Sequence, residues 1–112
     1  MNSELTQEQR SSILSDMLDQ KLLLDEHYEE ANYTSNGLVK LSDEMVAAKK
    51  LLMDINFKFP SYRKDSTLCN TAERLEYSIK LTLHKIVDIK KHIQINTDRT
   101  VKYVTISARE RF

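Results

Sequence analysis

The sequence predicts an all-α fold: two long amphipathic helices that form a helical hairpin or a coiled coil in an elongated molecule. Its 112 residues include one glycine, Gly37, and one proline, Pro60, where an average chain of this length has about seven and about five. Tight turns depend on these residues, so a mixed α/β domain would lack the connections it needs. Apolar residues also recur every seven positions along much of the chain, as packed helices require.

The first helix, arm one, is predicted over residues 6–57. Thr6 and Gln9 have the spacing of a capping box, which places the start of the helix near residue 6. Residues 35–37, Ser-Asn-Gly, would by themselves suit a helix stop. The heptad phase crosses them unchanged, however, so the pattern favours one continuous helix over two. The apolar heptad position is occupied by Met17, Leu24, Ala31, Leu38, Met45, Leu52 and Phe59.

The companion position, three residues later, is polar in the first half of arm one. It holds Gln20, His27 and Thr34 there, and Leu41, Ala48 and Ile55 in the second half. Buried polar residues at such positions set register and reject wrong partners in coiled coils. The competing interpretation is that this stretch is loosely packed or faces solvent.

A break is predicted at residues 58–65, because Pro60 removes a backbone donor and disfavours helical geometry in the residue before it. Arm two follows over residues 66–95. It can continue as a helix to about residue 110, although the sequence from Thr100 to Ile106 also suits a strand. Helix is favoured there because a lone strand has nothing to pair with. The apolar seam of arm two is Leu68, Ala72, Leu75, Ile79, Thr82, Ile86, Ile89 and Ile93.

The chain is predicted to be a single helical domain over residues 1–112 that binds other helical protein chains, different chains being favoured over copies of itself. A two-helix hairpin leaves apolar residues such as Leu22, Leu23, Leu51, Leu81 and Val87 off the main seams, and another chain must cover some of this surface. Aspartate at Leu75, Ile79 or Ile86 is expected to abolish that binding. The predicted partner-binding residues are Met17, Leu24, Leu38, Met45, Leu52, Leu68, Leu75, Ile79, Leu83, Ile86, Ile89 and Ile93.

No catalytic, cofactor or metal site is predicted. The sequence has no glycine-rich phosphate loop and no nucleophile elbow, so no enzyme activity and no small-molecule substrate are expected. His84, Asp88 and His92 share one helical face, but residues eight apart lie about 12 Å apart along the axis, too far to share one ion. Substitution of His84 or His92 by Ala is expected to change almost nothing.

The charge is uneven although its sum is zero. Residues 1–56 carry a net charge of −6 and residues 57–112 a net charge of +6. The opposite net charges of the two arms favour an antiparallel hairpin. Exposed ion pairs add little stability, so these charges mainly affect which helices associate and in which orientation. An alternative is that arm two binds nucleic acid, with Tyr77 and Tyr103 stacking on bases. Its basic residues are Arg74, Lys80, Lys85, Lys90, Lys91, Arg99 and Lys102.

A cytoplasmic location is expected. The N-terminus lacks the basic and apolar regions of a secretory signal, and no apolar stretch approaches the ~18 residues that a bilayer requires. Cys69 is the one cysteine, so an intramolecular disulfide is excluded. Direct membrane insertion is therefore not expected.

One short segment resembles a known family. Leu24-Asp25-Glu26-His27, with Leu38 fourteen positions after Leu24, is similar to the Leu-Asp-x-His segment that opens the conserved region of snapin. The snapin family consists of small coiled-coil subunits of complexes that build and position lysosome-related organelles. The resemblance implies a scaffolding role in vesicle trafficking, with Leu24, His27 and Leu38 as packing positions. Subunits of kinetochore and spindle complexes have the same physical character and remain an alternative.

Overall fold

The computed structural model describes the backbone of residues 5–110 and the side chains of residues 5–95. Within that range the chain is all-helical, as predicted, and it forms an elongated bundle of 79 × 24 × 16 Å. All three α-helices pack against one another. The elements are α1 (Gln7–Glu30), α2 (Ser35–Lys58), a short 3-10 helix (Pro60–Lys64) and α3 (Ser66–Glu110).

The prediction of one continuous first helix is wrong, because α1 ends at Glu30 and α2 starts at Ser35. Ala31 and Thr34 have extended backbone conformations, and the Thr34 hydroxyl accepts a hydrogen bond from Gly37 N at 3.1 Å. Threonine in this role satisfies one of the free N–H groups of a helix start. The segment Ser-Asn-Gly therefore begins a helix and does not end one.

Gly37 allows the turn between α1 and α2 to pass close to the first turn of α2. A Cβ atom at this position would lie 2.2 Å from the carbonyl oxygen of Asn32 and 2.9 Å from its backbone nitrogen. Those atoms belong to the backbone and cannot rotate away. The single glycine is thus explained by a close approach of two backbone segments.

The start of α1 has the capping box that its spacing predicts. The Thr6 hydroxyl accepts from Gln9 N at 3.1 Å, and the Gln9 side chain accepts from Thr6 N at 3.0 Å. The other end of α1 is tied to α3, because the Lys85 ammonium donates to the Tyr28 carbonyl and lies over the Tyr28 ring, 4.4 Å from its centroid. A cation at this end also suits the dipole of the helix.

The break at Pro60 is a 3-10 helix that redirects the chain from α2 into α3. Its Tyr62 side chain is fully buried, and burial raises the pKa of the phenol. The Tyr62 hydroxyl has no hydrogen-bond partner among the described residues, which offsets part of the gain from burying the ring. Asp65 then caps α3, and this helix starts at Ser66, where the predicted arm two begins.

α3 is much longer than its neighbours. Tyr33, in the turn between α1 and α2, makes an edge-to-face contact with His92, with ring centroids 5.5 Å apart. The turn that joins α1 to α2 therefore lies beside His92. Beyond His92, α3 continues for 18 residues to Glu110, a length of about 27 Å at 1.5 Å per residue. The side chains of Arg99, Lys102 and Tyr103, which belong to the nucleic-acid alternative, lie beyond those that the structure describes.

Candidate partner-binding surfaces

The predicted partner-binding residues lie mostly inside the bundle. Among these twelve residues, Leu83 is the one exposed side chain, with 43% of its surface accessible. The four partly buried ones pack against the core, and they are Leu38, Leu52, Ile79 and Ile93. The seven buried ones form a large part of the core, and they are Met17, Leu24, Met45, Leu68, Leu75, Ile86 and Ile89.

The break in arm one explains why these residues turn inward. Two helices bury one stripe each and leave their flanks open, but three helices close around a common axis and bury a wider face. The heptad positions of α1 and α2 therefore face α3 in the same chain. Apart from Leu83, the predicted partner-binding residues are therefore already packed within the chain.

The polar companion positions of arm one have structural roles. Gln20 Nε2 donates to Glu44 Oε1 at 2.7 Å, and His27 Nε2 lies 4.0 Å from Glu44 Oε2. These contacts join α1 to α2, and Thr34 caps α2. Neither interpretation of the sequence pattern holds for all three residues, because Gln20 and His27 are half-buried while Thr34 is exposed.

One exposed apolar surface lies between α1 and α3. Leu18 and Leu22 are one turn apart on α1, and Tyr77 and Leu81 are one turn apart on α3; these four residues are called the α1–α3 surface. Their exposed fractions range from 38% for Leu81 to 62% for Tyr77. Lys21, which stands between the two leucines in sequence, lines a shallow depression together with Tyr77. Of the four residues, Tyr77 borders this depression, whose other lining side chains are polar.

A second exposed apolar row runs along α2. It comprises Val39, Val46, Met53 and Phe57, with exposed fractions of 55, 57, 71 and 87%. The stronger heptad of Leu38, Met45 and Leu52 lies immediately before these residues in the sequence and obscures their pattern. The signal was present, since Val39, Val46 and Met53 are also spaced by seven.

Two ion pairs near the 3-10 helix do not join an acid of residues 1–56 to a base of residues 57–112. Arg10 on α1 meets Asp65, with 2.5 Å between Nε and Oδ2, and Arg63 meets Glu76 at 2.8 Å. The Asp65 carboxylate also accepts from the backbone N–H groups of Thr67 and Leu68. The hydrogen bond from Arg10, followed by that from Leu68 N, holds the pKa of Asp65 below its ordinary value of 3.8.

We expect the pKa of Asp65 to make stability fall in acid. A carboxyl group whose pKa is lower in the folded state stabilises the fold above its unfolded pKa. That contribution is lost as the pH falls below about 4 and through the folded pKa. The measurement is the midpoint of thermal unfolding from about pH 6 to about pH 2, for the wild type and for Asp65→Asn. The two midpoints should converge in acid, and a gap that stays constant with pH would contradict the assignment.

The histidines of α3 differ from each other in surroundings. His84 and Asp88 are exposed, whereas His92 packs against Tyr33, so His92→Ala removes a contact that the sequence did not reveal. Among the side chains of residues 5–95, no group of three or more His, Cys, Asp or Glu is placed to hold a metal ion. Cys69 Sγ lies 3.7 Å from Glu73 Oε1, and His84 is about four turns farther along the helix.

The basic residues of α3 do not form one face. Lys85 points into the bundle toward Tyr28, as described above. Arg74 lies in the depression beside Lys21, on the side of α3 that faces α1. Lys80 and Lys91, eleven residues apart, lie within about 20° of each other on another side of the helix, and Lys90 lies about 100° from Lys91. This distribution differs from the continuous basic stripe that a phosphate backbone would follow.

No helix among the described residues combines the length and apolar character needed to cross a membrane. No protein-family model, curated protein or solved structure matches the chain.

Proposed function

We propose that the chain is a non-catalytic assembly subunit that binds helices of other proteins. The observation that carries this proposal is the α1–α3 surface. Exposed apolar side chains scattered singly are normal on any protein, but here two pairs, each one turn apart, lie on two helices that pack against each other. A fourth helix lying along α1 and α3 would cover Leu18, Leu22, Tyr77 and Leu81 and gain about 25 cal/mol for each Å² of apolar area buried.

The length of α3 supports the same proposal. Its extension past His92 has no counterpart in α1 or α2, both of which turn back at that level. Isolated helices are marginal in water and depend on packing an apolar face. A partner helix that continued from the α1–α3 surface along the extension would supply that packing, as subunits of coiled-coil assemblies do for one another.

An organelle-positioning role in the cytoplasm is the pathway we favour, on the resemblance to the snapin family. Leu24 is buried, Leu38 is partly buried, and His27 Nε2 lies 4.0 Å from Glu44 Oε2. These contacts support a structural use of the segment. A kinetochore or spindle subunit would have the same bundle, and the identity of the captured partner decides between the two.

The test is capture of partners by the tagged full chain, followed by binding measurements with the purified partner. We expect Leu22→Asp to lower the affinity about tenfold or more, because a charge would be placed in the centre of the interface. The matched control is Leu23→Asp on the same helix, where a leucine of similar exposure, 45% against 60%, points about 100° away. Circular dichroism should show unchanged helicity in both variants.

Either of two results would contradict the proposal. Equal loss of binding in both variants would show that Leu22 is not a specific contact. Binding to nucleic acid that weakens steeply with salt, together with no helical partner, would instead favour the nucleic-acid alternative.

A further inference from the structure

The outer face of α2 carries a complete second seam. Six residues on this face of α2 follow one another at intervals of four, three, four, three and four positions, which is the spacing of a coiled-coil seam. Every one of these side chains is exposed. The residues, called the α2 seam, are Val39, Asp43, Val46, Lys50, Met53 and Phe57.

We propose that the α2 seam binds the α2 seam of a second copy of this chain in antiparallel orientation. The argument is charge complementarity. The seam contains one acid, Asp43, and one base, Lys50, seven residues apart near its middle. A parallel pair would set Asp43 against Asp43 and Lys50 against Lys50, whereas an antiparallel pair brings each acid to the other chain's base.

The register follows from the same spacing. If Val46 lies opposite Lys50 of the second copy, Asp43 is one layer away from that lysine, about 4.5 Å along the axis. A lysine side chain spans this distance easily. Neither Asp43 nor Lys50 forms an ion pair within the described part of the chain, so both are available to the second copy.

Side-chain size agrees with this register. Val39 falls opposite Phe57 of the second copy, so the smallest apolar residue of the seam meets the largest at both ends. Phe57 is 87% exposed, and burial of an aromatic side chain contributes more than that of most other residue types. A two-fold interface of this kind is self-complementary and closes at two chains.

This inference goes beyond the proposed partner binding and uses a different surface. A dimer through α2 leaves both α1–α3 surfaces open, because α2 does not contribute to them. The assembly would then present two equivalent α1–α3 surfaces to partner helices. Variants of the α2 seam and of the α1–α3 surface therefore separate the two proposals.

The experiment is measurement of mass against concentration for the purified full chain by sedimentation equilibrium. We expect the wild type to approach twice the monomer mass of 13.1 kDa as concentration rises. Val46→Glu should remain a monomer with unchanged helicity, since Val46 is exposed in the single chain. Asp43→Lys and Lys50→Asp should each raise the dissociation constant about tenfold, because attraction becomes repulsion at two symmetric places.

The double variant Asp43→Lys/Lys50→Asp is the decisive one. It restores complementarity between the two copies, so its dissociation constant should return close to that of the wild type. A wild type that stays monomeric at every attainable concentration would overturn the proposal. A dimer that Val46→Glu leaves intact, or a double variant weaker than both single ones, would overturn it as well. Leu22→Asp should leave the dimer unchanged whatever its effect on partner binding.

Discussion

We expect Leu75→Asp to unfold the chain. Leu75 is fully buried in α3, where α1 and α2 both pack against that helix. Loss of a core leucine costs about 2–5 kcal/mol, and a buried charge without a partner costs about 3–5 kcal/mol more. The whole stability of a chain this size is about 5–15 kcal/mol. The helical signal in circular dichroism should therefore fall to that of an unfolded chain at room temperature.

The matched control for Leu75→Asp is Leu83→Asp, the same change two turns farther along α3. Leu83 is 43% exposed, so its carboxylate would reach water, and we expect helicity and the unfolding midpoint to stay close to the wild-type values. If both variants unfolded, the assignment of Leu75 to the core and Leu83 to the surface would be wrong. If neither did, the three-helix core itself would be in doubt.

This pair of variants also separates folding from binding. The sequence pattern predicts that Asp at Leu75, Ile79 or Ile86 abolishes partner binding, and any such loss would now follow from loss of the core. Binding has to be tested at exposed residues. For that reason Leu22 and Leu23, and not the residues of the main seams, are the informative positions on α1.

Much of the fold follows from local signals in the sequence. The capping box at Thr6, the break at Pro60 and the scarcity of glycine each depend on nearby residues, and together they predict long helices. That the apolar seams pack against helices of the same chain could not be predicted in the same way. A heptad pattern shows that a helix face is buried, but it does not say whether the covering helix belongs to the same chain.

The turn between α1 and α2 was missed for a specific reason. Four non-helical residues separate Glu30 from Ser35, and the spacing from Leu24 to Leu38 remains a multiple of seven across them. The phase was therefore preserved although the helix was not continuous. Thr34 followed by Gly37 is a weak capping signal, and the unbroken periodicity outweighed it.

Gly37 offers the sharpest test of that turn, and we expect Gly37→Ala to destabilise the bundle. Alanine is about 1 kcal/mol better than glycine inside a helix, so an unhindered site would become more stable. The new Cβ would instead lie 2.2 Å from Asn32 O, and forced overpacking of this kind costs about 1–3 kcal/mol. A drop of about 5 °C or more in the unfolding midpoint is expected by thermal denaturation.

Asn36→Ala serves as the control for Gly37→Ala. Asn36 is exposed in the same turn of α2 and already carries a Cβ atom, so alanine creates no new contact with the backbone. Its unfolding midpoint should equal or exceed that of the wild type. The sign of the Gly37 result is what matters, since helix propensity and close approach act in opposite directions. A rise in the midpoint for Gly37→Ala would mean that the α1–α2 turn does not pass over the first turn of α2. The contact between Tyr33 and His92 would then lose its support, and α1 would have to meet α3 in another way.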